Sequence, residues 1–146
     1  MSRGQRGYGF AEVLAVSAIL FVLALIAFPR LVVPTTIVLQ VPARQLAADL
    51  RLAQRLAIAR HVDYLLEMSP TTAPYAQYSV HASGGPAEPD FPRTFDAGVS
   101  VSGQLQFQFR SDGTAVAGGS VTLTSGGSTA VVQVIAGTGR VTVTGP

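Results

Sequence analysis

From Val13 to Phe28 the chain carries no charge and a single hydroxyl, Ser17, inside a longer apolar run, YGFAEVLAVSAILFVLALIAFP, that starts at Tyr8. A helix over the 21 positions 8–28 is about 31 Å long at 1.5 Å per residue, matching a hydrocarbon core of about 30 Å. The run therefore predicts one membrane-spanning helix, with residues 8–29 as its extent. Arg3 and Arg6 stand just before it and the next basic residue is Arg30. Positive-inside bias then keeps the N-terminus cytoplasmic and exports the rest, a single pass through the inner membrane with the remainder in the periplasm or outside.

A chain of 146 residues has room for one small domain besides such a helix. With 48% hydrophobic and only 12% charged residues, it is more apolar than an ordinary soluble domain, and part of it is meant for lipid or for partners. The formal charge of +2 is supplied by Arg3 and Arg6; the remaining eight Arg face eight acidic residues. Global charge thus argues nothing for a nucleic-acid partner. The absence of Cys excludes thiolate metal sites, a Cys nucleophile and disulfides.

A secretory signal peptide and a plain single-pass anchor also present apolar N-terminal runs. This one is longer than a usual signal-peptide core and ends in Phe28-Pro29-Arg30, not in small residues suited to signal peptidase. Neither alternative accounts for Glu12, a carboxylate inside the start of the apolar helix. Ionised there, it costs a few kcal/mol unless a cation partners it.

Gly7 is followed by the bulky Tyr8; Glu12 lies five positions beyond that glycine and Pro29 lies 22 beyond it. In these residues the chain resembles the type IV pilin and pseudopilin superfamily. Cleavage after Gly9 would shift both Glu12 and Pro29 two positions out of register. The resemblance implies that prepilin peptidase/methyltransferase removes residues 1–7 after Gly7 and methylates the amine freed on Tyr8. It also implies that Glu12 pairs with the amine of a neighbouring pilin or pseudopilin subunit, and that membrane lipid surrounds the helix before assembly. Two groups costly alone in lipid become tolerable together. Tyr8 in place of Phe and Gly9 in place of Thr depart from the commonest pattern of the family.

Residues 30–61 read as a stem interrupted by proline. Pro34 and Pro42 each remove a backbone donor, and the Thr35-Thr36-Ile37-Val38 run between them has weak helix propensity. Helical periodicity returns over Ala43–Arg60, where Leu46, Leu50, Ala53 and Ala57 share the face expected to pack on the head. Arg44, Arg51 and Arg55 fall within about 40° of one another on a different face at 100° per residue. A solvated helix face is the plainer reading of that stripe; a dock for an acidic partner or a phosphate backbone is the other.

Residues 62–146 change to short β segments broken by Gly, Pro and Ser, with candidates at 62–68, 76–82, 99–102, 105–110, 114–117, 120–125, 130–136 and 140–144. Leu105, Phe107 and Phe109 alternate inward, and Ser111-Asp112-Gly113, Ser125-Gly126-Gly127-Ser128 and Gly137-Thr138-Gly139 supply turns. Ser83–Arg93, with three prolines and a Gly pair, reads as a surface loop. The expected fold class is α+β, a long N-terminal transmembrane and stem helix followed by an antiparallel β-rich head.

The order DLRLAQRLAIARHVDYLL, FQFRSDGTA, a Gly-rich hairpin and a closing GTGRVTV is similar to GspH/FimT-type pseudopilins. That resemblance implies a minor subunit that takes part in assembly or tip function of a type II secretion pseudopilus or type IV pilus. Competence members of the FimT type carry two alternating arginines on the last strand to catch DNA. Here Arg140 is present and Thr142 takes the second place.

His61 and His81 lack metal-ligand spacing, and no GxSxG elbow activates a serine. Gly137-Thr138-Gly139-Arg140 lacks the third glycine of a dinucleotide site. No catalysis, cofactor or metal is expected. Three readings stay open: a filament subunit, a minor pilin whose head binds DNA for uptake through Arg140 and the stem arginines, and a membrane-tethered β domain unrelated to filaments.

Overall fold

A computed structural model describes residues 9–27 and 35–145, which fall into two compact units. The first is helix α1, Phe10–Ala27, of 18 residues. Its described side chains Val13, Leu14, Val16, Ile19, Leu20 and Phe21 are each more than half exposed. Ser17 donates its hydroxyl to the Leu14 carbonyl at 2.9 Å, so the one hydroxyl of the run is satisfied inside the helix. Among the described residues no helix is long and apolar enough to cross a membrane. The described α1 is about 27 Å long at 1.5 Å per residue; the predicted span also draws on Tyr8, Phe28 and Pro29, which lie outside the described residues.

The second unit begins with helix α2, Thr35–Arg60, of 26 residues. Of the Pro-interrupted stem helix expected over 30–61, residues 30–34, Pro34 among them, lie outside the described residues; from Thr35 on, Pro42 sits inside a continuous helix, and Thr35–Val38 is helical rather than extended. The missing Pro42 N–H deprives one carbonyl of its partner. Against that loss, Leu39, Ala43, Leu46 and Ala47 around it are fully buried, and tertiary packing overrides local propensity. The helix stops after Arg60 because His61 adopts a left-handed conformation, φ 55°, a terminator that a non-glycine residue supplies only occasionally.

Eight strands follow among the described residues, in two antiparallel sheets. In chain order they are β1 Tyr64–Ser69, β2 Gln77–Ala82, β3 Arg93–Thr94, β4 Ser100–Gly103, β5 Gln106–Phe109, β6 Gly119–Ser125, β7 Ser128–Val134 and β8 Val141–Thr144. One sheet runs β3-β2-β1-β5 and the other β4-β6-β7-β8. Alternation sets their inner faces: Tyr64, Leu66 and Met68 of β1, Phe107 and Phe109 of β5, and Val121, Leu123, Val132 and Val134 of β6 and β7 are buried. They close on the face of α2 carrying Leu46, Leu50, Ala53 and Ala57, all fully buried.

The turns behave as their chemistry demands. Gly126 and Gly127 both have positive φ, 55° and 84°, the two-residue hairpin turn whose twist matches its strands. Two elements differ from expectation. Residues 114–117 form a single bridge, Phe109↔Ala115, instead of a strand, because the chain there is crossing from one sheet to the other. Arg93–Thr94, placed at the end of a surface loop and just beyond it, adds a strand beside β2, with Tyr78 opposite Arg93.

The packing predicts a sharp contrast between neighbours on α2. Leu50→Ala should cost about 2–5 kcal/mol of unfolding free energy, whereas Leu52→Ala, at a position 36% exposed, should change it by under about 1 kcal/mol. Urea titrations of the two variants check this.

Candidate assembly site and polar clusters of the head

Of the residues predicted to direct assembly, Gly7, Tyr8 and Pro29 lie outside the described residues. Glu12 is the third residue of α1, in the first turn, where the helix dipole favours a negative charge by some tenths of a kcal/mol.

The predicted basic stripe is partly dispersed. Arg44 and Arg55 are exposed, but Arg51 reaches across to donate to the Val141 carbonyl of β8 at 3.0 Å. Arg140 is exposed just ahead of β8 and is not joined to the stripe by any hydrogen bond among the described residues. His61 ends α2, and His81 lies 3.5 Å from Glu67. Among the described residues no group of side chains could hold a metal.

Between Arg51 and Arg55, Gln54 ties two turns to the helix, donating to the Gly113 carbonyl at 2.7 Å and to the Thr138 carbonyl at 3.4 Å. The approach is close enough to require glycine at 139: a Cβ there would lie 2.5 Å from Gln54 Nε2, at φ +65°.

Two polar clusters escaped the sequence reading. The first centres on Asp49, which is 4% exposed. Tyr78 donates its hydroxyl to Asp49 Oδ2 at 2.7 Å, and Gln45 Nε2 donates to the carboxylate at 3.2 and 3.4 Å. Arg93 Nε lies 3.3 Å from Oδ2. Burial, reinforced by the bond to Asp49, pushes the Tyr78 hydroxyl far above its ordinary value, so Tyr78 remains a donor at all working pH values. The signal was present in the sequence: Asp49 follows Leu46 by three and precedes Ala53 by four, placing a charge on the apolar face, where it must be partnered.

In the second cluster, Glu88 accepts from Tyr64 Oη at 2.7 Å and from Arg60 at 2.5 Å and 3.2 Å. The Tyr64 hydrogen bond, with Arg60 adding to it, holds the Glu88 carboxyl below its ordinary value. It pins the Pro-rich 83–92 loop to the end of α2. Arg60 and Tyr64 are four residues apart, but Glu88 lies 24 residues beyond Tyr64, a separation that no sequence pattern bridges.

An exposed apolar helix in one unit, and in the other a long helix laid across two antiparallel sheets, define a pilin-like architecture. Residues 42–139 match the family model described as Type II transport protein GspH, and the chain belongs to that family. No curated protein sequence matches it. Solved structures with a similar fold include the type IV minor pilin FimU of Pseudomonas aeruginosa, 21% identical with a TM-score of 0.61, covering 74% of this chain and 92% of that one. A second crystal form of FimU is 20% identical with a TM-score of 0.60, covering 74% and 97%. The minor pseudopilin EpsH from the type 2 secretion system of Vibrio cholerae is 14% identical with a TM-score of 0.59, covering 73% and 96%.

Family membership makes the chain a minor pseudopilin or pilin, a structural subunit of a type II secretion pseudopilus or type IV pilus. Its partners are other pilin or pseudopilin subunits, and it is anchored in the inner membrane. Neither the family nor these structures lend support to DNA uptake.

Tyr78→Phe removes a hydrogen bond to a buried carboxylate and should cost about 1.5–3 kcal/mol, read from denaturant midpoints. Glu88 gives a pH-dependent counterpart. Its folded pKa is depressed, so its stabilisation is present above the unfolded value, about 4.3, and is lost as pH falls through the folded one. Wild type should therefore exceed Glu88→Gln in stability at pH 6, and the gap should narrow progressively as the pH is lowered below the unfolded value.

Proposed function

We propose that residues 1–7 form a leader cut after Gly7 by prepilin peptidase, and that the amine exposed on Tyr8 is methylated. Residues 8–29 are the membrane and assembly helix, held in lipid with the N-terminus cytoplasmic before assembly; residues 30–61 are the stem and 62–146 the head. On entry to the filament, the Tyr8 amine of one subunit and Glu12 of the next neutralise each other in an apolar setting. The observation that carries this reading is α1 itself. Six large apolar side chains on it are more than half exposed, and surface of that kind must be covered by lipid or by other helices.

Moving such a helix out of lipid gives no hydrophobic gain by itself, because lipid tails are as apolar as its side chains. A specific polar pair is then what distinguishes the assembled position from the dispersed one. An ionised Glu12 alone costs a few kcal/mol in the bilayer; paired with an ammonium group it no longer faces that cost unaided.

Intact-mass measurement of the membrane-extracted chain is expected to show loss of residues 1–7 and gain of one methyl group. Gly7→Leu should leave the leader attached and the protein in the membrane, absent from sheared filaments. A mature wild-type chain still beginning at Met1, or a Gly7→Leu chain processed and assembled as usual, would end this reading.

A further inference from the structure

Next to the Asp49 cluster the head holds a cleft of about 410 Å³, lined by Val41, Pro42 and Gln45 of α2, Tyr78 of β2 and residues 92–96. That size falls within the range of about 300–1,000 Å³ typical of binding clefts.

The charges around the cleft select what can enter. Arg93 Nε lies 3.3 Å from Asp49 Oδ2 without hydrogen-bonding to it, and at that distance the two opposite charges offset each other at the floor. Asp96, exposed at the mouth, makes no side-chain hydrogen bond or ion pair among the described residues. One negative charge is therefore left uncompensated. A monocation entering the cleft neutralises the group, whereas an anion doubles the imbalance and faces the buried Asp49.

The walls suit a cation on a long apolar stem. The half-buried Phe95 ring, backed by the buried Tyr78 ring 5.1 Å away and tilted by 40°, presents an aromatic surface of the kind that attracts ammonium and guanidinium groups. Val41 and Pro92 offer apolar surface for methylenes. Val41 is 65% exposed, an uncovered apolar lip beside residues of α2 that are fully buried.

We propose that the cleft between α2 and β3 is a socket for an arginine or lysine side chain presented by a neighbouring filament subunit. The stem lies along Val41 and Pro92, and the cationic head sits between Phe95 and Asp96. The identity of the partner rests on the filament reading; the occupancy of the cleft does not, and the two fail separately.

The test uses the full chain in detergent micelles, titrated with N-acetyl-arginine methylamide while backbone amide resonances are followed. Saturable shifts are expected at Thr94, Phe95 and Asp96, and none at Asp112 near the other end of α2. N-acetyl-glutamate methylamide should shift none of them. Asp96→Asn, whose fold is checked by its unchanged amide spectrum, should weaken arginine binding about two- to five-fold, as loss of an exposed ion pair does. Preference for the glutamate probe would make Arg93 an anion receptor and overturn the proposal. So would indifference to both probes, or an affinity unchanged in Asp96→Asn.

Discussion

The apolar face of α2 is what makes the two sheets one domain. Strands β1, β2 and β5 of one sheet and β6, β7 and β8 of the other all pack against this helix, and both inner faces bury their alternating side chains around Leu46, Leu50, Ala53 and Ala57. Each sheet has only four strands and one apolar face to hide, so each needs a second layer to be stable. Because α2 serves both, its continuity matters more to the head than its local propensity, and Pro42 is accommodated within it.

What could be read in advance follows the range of the interactions concerned. The inward set Leu46, Leu50, Ala53 and Ala57 was visible because helical periodicity is local, and Phe107 and Phe109 were visible because strand alternation is local as well. Gly126-Gly127 announced its hairpin through backbone permissiveness alone. The Arg93–Thr94 strand was hidden behind prolines that read as loop, and only its position opposite Tyr78 makes it a strand. The Arg60–Glu88–Tyr64 cluster joins residues brought together by tertiary structure. Asp49 is the intermediate case: its misplaced charge on an apolar face was legible, its partners Tyr78 and Arg93 were not.

The two units solve opposite electrostatic problems with the same device. In the head, Asp49 is a charge in an apolar setting whose partners Tyr78, Gln45 and Arg93 all come from its own chain. In the N-terminal helix the sequence places Glu12 in a comparable setting, and the proposed assembly supplies its partner from another chain. A group satisfied internally fixes a fold, whereas one left for a neighbour turns association into the favourable course.

Gln54 grips the turns at Gly113 and Thr138, and Arg60 holds Glu88 of the loop after β2, all from one helix. Side-chain anchors spaced along a rod make it a strut. Tension or compression applied along α2 is shared among several loops of the head, so the head resists shear as a unit, and a single hairpin is not peeled away by itself. For a component of an extended fibre, anchoring of this kind spreads a load on the helix over the turns at Gly113 and Thr138 and the loop at Glu88.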